Sequence, residues 1–244
     1  MALIFVKPNR IVVVGEGGGW LTPFLLAFFN SCFNPEVQLI LVDGGIFTFD
    51  QGDHEFFLYP GNKARVTAEF IRCCFPNLLV EAVPKYVGLA EGSSVVTPQQ
   101  VIRSGDIVFL QVDNARTKHL IETHALTLPN ITIISGGTNL DQVRVLVYLR
   151  RNNVDLTPPM SSYCSDVANP SDKVRREDGC LERVREMGDT HPFAMLTASI
   201  LMLDAFCMVC RLEAACQLSH FPYYELWHDV AAGRTRAEKP PANP

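Results

Sequence analysis

Residues 11–43, IVVVGEGGGWLTPFLLAFFNSCFNPEVQLILVD, decide the fold. Ile11 to Val14 is a short, continuously apolar run, the pattern of a strand buried on both faces. A glycine turn follows: Gly15, Gly17, Gly18 and Gly19. Leu21 to Phe33 reads as a strongly apolar helix, Val37 to Val42 as a second buried strand, and Asp43 closes that strand. Together these make a strand, glycine loop, helix, strand and acid in sequence. Loop N–H groups and a helix N-terminus favour a phosphate, and a carboxylate ending the second strand can accept ribose hydroxyls. Trp20 occupies the last position of what would otherwise be G-x-G-x-x-G. A glycine-rich turn with no ligand is therefore the alternative reading.

The same alternation continues outward. Lys63 to Phe75 reads as an amphipathic helix with Val66, Phe70 and Cys73 on one face, and Leu78–Val83 as a third strand. Thr97 is an N-cap with Pro98 at the first helical position of a short helix. Asp106–Val112 is a fourth buried strand with Asp113 at its C-terminal end, and Asn114 to Leu126 is a helix. Ile131–Ile134 is a fifth strand, followed by Ser135-Gly136-Gly137. Arg144–Arg150 and Val154–Leu156 flank Asn152-Asn153, a hairpin signal. The expected fold is α/β and Rossmann-like, a mostly parallel sheet with helices on both faces. Ligands of such sheets bind beyond the C-terminal strand ends, where Gly15–Gly19, Asp43, Asp113 and Gly136-Gly137 all fall.

The expected organisation is a nucleotide-binding core over residues 1–157 and a crossover segment over 158–191, which carries the charge cluster DKVRREDGCLERVRE. A C-terminal core helix with its extension spans 192–230, and a disordered tail 231–244. With 244 residues, 48% hydrophobic and 19% charged, the chain can bury a sizeable core. A net charge of −5 does not favour nucleic acid as a partner. Of eight cysteines, Cys32, Cys73, Cys74, Cys207 and Cys210 fall in apolar helical patterns, which suits reduced, buried thiols. Met1–Val6 lacks a cationic start and a cleavage site, so a cytoplasmic location is expected. Pro192–Leu218 is long enough to span a bilayer. Asp204 falls near its middle, where a charge is costly, so this stretch is read as a core or dimer-interface helix and no membrane partner is expected. His119 and His124 are five apart, which does not put them on one helical face for a metal, and both are read as surface or packing residues.

The order of these residues resembles the ThiF/MoeB family, which shares its adenylation domain with ubiquitin-activating enzymes. The resemblance covers roughly residues 8–215. The glycine turn resembles that family's G-x-G-G-L-G, and Val42-Asp43 its ribose-binding aspartate. Gly61-Asn62-Lys63-Ala64 resembles a G-x-K-A segment whose lysine contacts ATP phosphates. Asp113-Asn114 with Lys118 resembles D-N-x-x-x-R, whose aspartate serves Mg²⁺ and catalysis. Gly136-Gly137 resembles the glycines after the family's fifth strand, and Gly179-Cys180 the cysteine that precedes its last core helix. The departures are specific. Asp50 to Phe56 stands where the family has S-N-L-N-R-Q-F, with His54 at the phosphate-contacting arginine and Asp53 and Glu55 in place of neutral amides. Gly45 stands where many members have a second acid, and Lys118 replaces an arginine, losing its bidentate fork. Structural zinc needs four ligands; only Cys207-x-x-Cys210 is available, so zinc is not expected. These departures fit a divergent bacterial branch or a disabled enzyme.

What the resemblance implies is an ATP-dependent activating enzyme. It would adenylate the C-terminal carboxylate of a ubiquitin-like or sulfur-carrier protein supplied in trans. Asp113 would hold Mg²⁺, with Lys63 and His54 against the phosphates. Gly15, Gly17, Gly18, Gly19, Asp43, Asn114 and Lys118 would bind the nucleotide. A cysteine thioester would follow, for transfer to a conjugating enzyme or acceptor. Cys180 is the first candidate, because Arg175, Arg176, Arg183 and Arg185 surround it in sequence and positive charge lowers a thiol pKa. Cys164, in SSYCSD, is the second. The implied assembly is a homodimer. Two other classes remain open. A dinucleotide oxidoreductase would have no use for Lys63 and Asp113. A non-catalytic dimer scaffold would explain the missing arginine at His54.

Overall fold

The computed structural model describes residues 8–15, 21–49, 57–139, 142–170 and 190–239. The strand β1 (Arg10–Val14) buries its four apolar residues in two directions. Ile11 and Val13 enter one hydrophobic core and Val12 and Val14 another, one on each face of the sheet. Alternation of side chains across a strand thus makes one short apolar run the partition between two cores. On either side of it lie β2 (Gln38–Val42) and β8 (Ile107–Leu110), both parallel, with Val12 opposite Ile40 and Val108. β5 (Leu79–Val83) follows β2, and β9 (Ile131–Asn139) follows β8, again parallel. Beyond β9 the sheet turns antiparallel through β10 (Gln142–Arg151), β12 (Glu225–Asp229) and β13 (Arg234–Glu238). The full order is β13-β12-β10-β9-β8-β1-β2-β5, with β11 (Val154–Asp155) paired to β10.

Helices cover both faces. One core gathers α1 (Leu21–Phe33), α2 (Lys63–Cys74) and the long α6 (Thr190–Ala214). The other gathers α3 (Pro98–Val101), α4 (Ala115–Ala125) and the short α5 (Ser165–Ala168). Two small ribbons lie apart from the main sheet, β3 (Ile46–Phe47) with β4 (Gly61–Asn62), and β6 (Tyr86–Val87) with β7 (Val95–Val96). Asn152 and Asn153 take φ values of 52° and 66°, the left-handed pair that a two-residue hairpin turn demands. The helix α6 packs on β9, β10 and α1. Its buried positions Ala194, Ala198, Met202, Ala205 and Val209 recur every three or four residues. Phe206 meets the rings of Phe109 and Phe29 with centroids 5.8 and 5.6 Å apart. Asp204 lies on the exposed side, clear of this packed stripe.

Two expectations need correction. The fifth strand does not stop at Ile134 but continues to Asn139, so Gly136 and Gly137 lie within it rather than after it. The reason is close approach: a Cβ on Gly136 would sit 2.2 Å from Met202 Sδ, and glycine in a strand marks such sites. The stretch from residue 231, expected to be a disordered tail, carries β13, paired with β12 from Glu225↔Glu238 to Asp229↔Arg234. An edge strand needs only backbone pairing and one covered side, so a polar composition does not preclude it.

Candidate active site

Two groups of side chains stand at the C-terminal ends of the parallel strands. The first forms where β1 and β2 end. Gly15 has a φ of +73° and donates its N–H to Val42 O at 2.9 Å. A Cβ there would lie 2.6 Å from Val112 Cγ1, so the chain can turn off β1 only as glycine. Asp43 Oδ1 accepts the Gly45 N–H at 2.7 Å. Asn62 caps α2 by accepting from the Arg65 N–H at 3.1 Å, and its amide nitrogen donates to Asp43 O and Gly45 O at 2.9 and 3.0 Å. The Lys63 N–H donates to Gly45 O at 3.0 Å. These bonds fasten the start of α2 to the loop after β2 and set Lys63 beside Asp43. A Cβ on Gly45 would lie 2.9 Å from Asp43 Oδ1 and 3.3 Å from Lys63 Cδ. A side chain at 45 would press on both and make the Asp43 carboxylate and the Lys63 stem shift. Lys63 Nζ stands 5.8 Å from the Phe57 ring centroid, a cation–π contact.

The second group lines a cavity of about 250 Å³ beyond β8 and β9, which includes Asp113, Lys118, Gly137, Arg144 and Cys164. Asn114 caps α4, its side-chain oxygen accepting from the Arg116 and Thr117 N–H groups at 2.9 and 3.3 Å. Asn114 therefore works as a cap that sets the first turn of α4, and Lys118 follows one turn on. Burial holds the Lys118 ammonium below its ordinary range, with Asp113 and Cys164 pulling the other way. The helix α4 also fixes the segment that carries Cys164. Glu122, itself buried, accepts the Ser161 N–H at 3.0 Å, and a ring nitrogen of His119 lies 2.9 Å from Val167 O. His124 is bonded to Ile102 O at 3.1 Å. Both histidines are thus engaged with backbone carbonyls.

Arg144 joins the cavity to the antiparallel wing. Its Nη2 is 3.0 Å from Cys164 Sγ, its Nε pairs with the buried Glu225, and its guanidinium lies 4.8 Å from the Trp227 ring centroid. Burial pushes the Cys164 thiol above its ordinary range. Arg144 and Lys118 oppose that shift, and Glu225 adds to it. Ser135 and Tyr163 also line this cavity, and neither Ser135 Oγ nor Tyr163 Oη finds a hydrogen-bond partner among the described residues.

Of the residues expected from the sequence, the structure brings Asp113, Lys118 and Cys164 together in one cavity and Asp43 and Lys63 together beside it in the sheet order. Gly17, Gly18, Gly19, His54 and Cys180 lie outside the described residues. Cys207 and Cys210 are held in α6, their thiols pushed up to about 11 and about 12 by burial. Cys32, Cys73 and Cys74, expected to be buried, are instead exposed, because they fall on the outer sides of α1 and α2. Among the described residues no three His, Cys, Asp or Glu side chains gather as a metal site. One carboxylate, Asp113, suits Mg²⁺ that arrives with nucleotide phosphates, because Mg²⁺ is commonly held by one or two carboxylates plus substrate. Arg144, Ser135, Tyr163 and Glu225 were not singled out in the sequence. The one local signal was Arg144 itself, a charge inside the apolar run VRVLV.

Neither a protein-family profile nor a curated protein matches the chain by sequence. Solved structures do match it. PaaA superposes with a TM-score of 0.62 at 14% identity, over 95% of this chain and 72% of PaaA. E. coli MccB with ATP gives 0.62 at 12% identity, over 98% of this chain and 66% of MccB. The microcin C7 biosynthetic enzyme MccB in complex with N-formylated MccA gives 0.63 at 12% identity, over 97% and 66%. The chain spans about two thirds of the length of MccB. PaaA and MccB are ThiF/MoeB-type adenylating enzymes, and this chain has their fold.

Proposed function

We propose that the chain is an ATP-dependent adenylating enzyme acting on the C-terminal carboxylate of a polypeptide supplied in trans, with a ubiquitin-like or sulfur-carrier protein as that polypeptide. The observation that carries this reading is the placement of Asp43 and Lys63 around Gly45, and of Asp113 near Lys118, at the C-terminal ends of one parallel sheet. It is supported by the shared fold with MccB, which has been solved with ATP and with AMPCPP and MccA. Lys63 and Asp113 are what a triphosphate needs and what a dinucleotide site does without.

The chemical difficulty is an anion approaching an anion. Lys63 supplies positive charge to the phosphates, and Asp43 accepts the ribose hydroxyls. The backbone that leaves β1 at Gly15 supplies N–H groups to phosphate oxygens. Asp113 would hold Mg²⁺, which neutralises phosphate charge when bound. The substrate carboxylate bonds to the α-phosphorus, the bond to the β-phosphate oxygen breaks, and pyrophosphate leaves with its electron pair. No general base is required, because the carboxylate is already ionised. Positioning and electrostatics are then the protein's whole contribution. A cysteine thioester, onward transfer to a conjugating enzyme, a homodimer and a cytoplasmic setting belong to the same reading. The seven described cysteines, all unpaired, suit a reducing compartment.

Calorimetry with Mg-ATP and with NAD tests it. We expect Mg-ATP to bind, with binding lost in Lys63→Ala and weakened in Asp113→Asn. Binding of NAD without binding of ATP would overturn the proposal.

A further inference from the structure

Asp43 has an aromatic neighbour that charge and phosphate chemistry leave unused. The Asp43 N–H donates to Val83 O at 3.2 Å, which ties the end of β2 to the end of β5. Beyond Val83 the chain enters the ribbon of β6 and β7, whose register pairs Tyr86 with Val95. The Tyr86 N–H donates to Ser94 O and the Gly88 N–H to Val96 O, each at 2.9 Å, so the backbone that carries the ring is fastened. The ring lies on Gly44, the residue after Asp43. A Cβ on Gly44 would sit 2.4, 2.6 and 2.7 Å from Tyr86 Cδ2, Cγ and Cε2. Three successive ring atoms at nearly equal distances mean that the glycine meets the face of the ring and not its edge. Any side chain at 44 would make the ring shift, so glycine there lets the ring lie against the loop after β2. Tyr86 nonetheless stays 47% exposed. The ring also stands at one end of an apolar strip. Val83, Val87 and Val112 are half-buried and pack against the core beneath α3 and α4. Val112 adjoins Gly15, where a Cβ would lie 2.6 Å from its Cγ1. The strip thus follows the C-terminal strand ends from β5 to β8, across the strands that end at Asp43 and Gly15.

We propose that Tyr86 is the platform on which the base of the bound nucleotide stacks, with Val83, Val87 and Val112 completing an apolar seat for it. This rests on the adenylation reading above and names the group that holds the base. A nucleotide has a charged end and a flat, largely apolar end, and one site must serve both. Lys63 and Asp43 suit the phosphates and the ribose. A ribose bonded to Asp43 sets its base next to the acid, where Tyr86 lies. One face of the ring is taken by Gly44, and the base takes the other. An aromatic ring fixed on a paired ribbon is ordered before the ligand arrives, so stacking costs little side-chain entropy. Stacking on an aromatic side chain accepts any base, because every base has a π-face. Tyr86 therefore contributes affinity for the nucleotide without choosing among bases.

Calorimetry of Mg-ATP binding to the full chain is the test, with variants that separate the aromatic face from bulk. Tyr86→Leu keeps bulk on Gly44 and removes the face, and Tyr86→Phe keeps the face and removes the hydroxyl. We expect Tyr86→Leu to weaken Mg-ATP about tenfold or more, and Tyr86→Phe to stay within about twofold of the parent. Inorganic tripolyphosphate with Mg²⁺ carries no base, and Tyr86→Leu should leave its binding unchanged. Tyr86→Trp, with a larger face, should bind Mg-ATP at least as tightly as the parent, which keeps the test independent of the folding of the leucine variant. Equal ATP affinity in the leucine and phenylalanine variants, or weaker ATP binding by Tyr86→Trp than by Tyr86→Leu, would overturn the inference. So would an equal loss of ATP and tripolyphosphate binding in Tyr86→Leu, because a ring that only steadies the loop after β2 affects both. ATP binding by the parent and by Tyr86→Leu alike removes only this assignment, whereas absence of ATP binding by the parent removes the adenylation reading and this inference with it.

Discussion

Alanine at Gly136 and at Gly137, one at a time, sets two adjacent positions of β9 against each other. A Cβ on Gly136 would lie 2.2 Å from Met202 Sδ, 3.0 Å from its Cγ and 3.3 Å from its Cε. Met202 is fully buried in the core that holds Ala205 and Phe206, so the thioether has little room to retreat. Forcing an extra methyl into such a core costs about 1–3 kcal/mol. A Cβ on Gly137 meets nothing within 4 Å, and removing a glycine's unfolded-state freedom there stabilises by about 0.4–1 kcal/mol. The two neighbouring variants should therefore differ by about 1.5–4 kcal/mol in unfolding free energy, with Gly137→Ala the more stable. Urea unfolding with linear extrapolation measures this, provided the slopes agree. Met202→Ala alone should cost about 2–5 kcal/mol. Combined with Gly136→Ala it should cost less than the sum, because the new methyl occupies space the thioether has left. Equal midpoints for the two alanine variants, or the reverse order, would refute the packing of α6 on β9 and the openness of the cavity at Gly137.

Other consequences can be checked alongside. Gly15→Ala should lose about 1–2 kcal/mol from its left-handed backbone alone and more from Val112, with a matching fall in ATP affinity by calorimetry. Phe206→Ala should cost about 3–5 kcal/mol by urea unfolding, since the ring joins α6 to α1 and β8. The Cys164 thiol is raised by burial, with Arg144 and Lys118 opposing and Glu225 reinforcing. Its alkylation by iodoacetamide should therefore keep accelerating above the ordinary thiol pKa of about 8.5, and Arg144→Gln should move the curve further up; a midpoint below that ordinary value would contradict the assigned surroundings. Asp113→Asn should cut ATP–pyrophosphate exchange with a competent substrate by about a hundredfold or more. Its melting temperature should stay close to that of the parent, because Asp113 is exposed at a strand end.

The parallel half of the fold was legible because its information is local. A strand buried on both faces must be continuously apolar, and Ile11–Val14 and Ile107–Leu110 are. Pro98 after Thr97, and the start of α4 after Asn114, could be read from the residue types that helix starts require. The candidate site's positions were legible for the same reason: Gly15, Asp43, Lys63 and Asp113 each sit close to where an element begins or ends. Less was legible where a residue's role depends on a neighbour distant in sequence. Gly136 and Gly137 read as following the end of a strand, and only the position of Met202 makes Gly136 a close-approach glycine within it. Polar residues at 234–238 suggested disorder, and only the open edge of β12 gives them a partner.

The amino-acid sequence by itself determined the strand and helix order, the two-faced core and the acidic and basic residues at the strand ends, because burial and backbone conformation act over a few neighbouring residues. Which cysteine meets the arginine was decided in three dimensions. Cys164 is 20 residues from Arg144, and Arg144 is 81 from Glu225. Glu122 and His119 of α4 dock the segment that carries the thiol, and the antiparallel pairing of β10 with β12 brings Glu225 to the arginine. Sequence spacing carries no trace of such contacts, since the sheet that creates them forms only when the distant strands have paired.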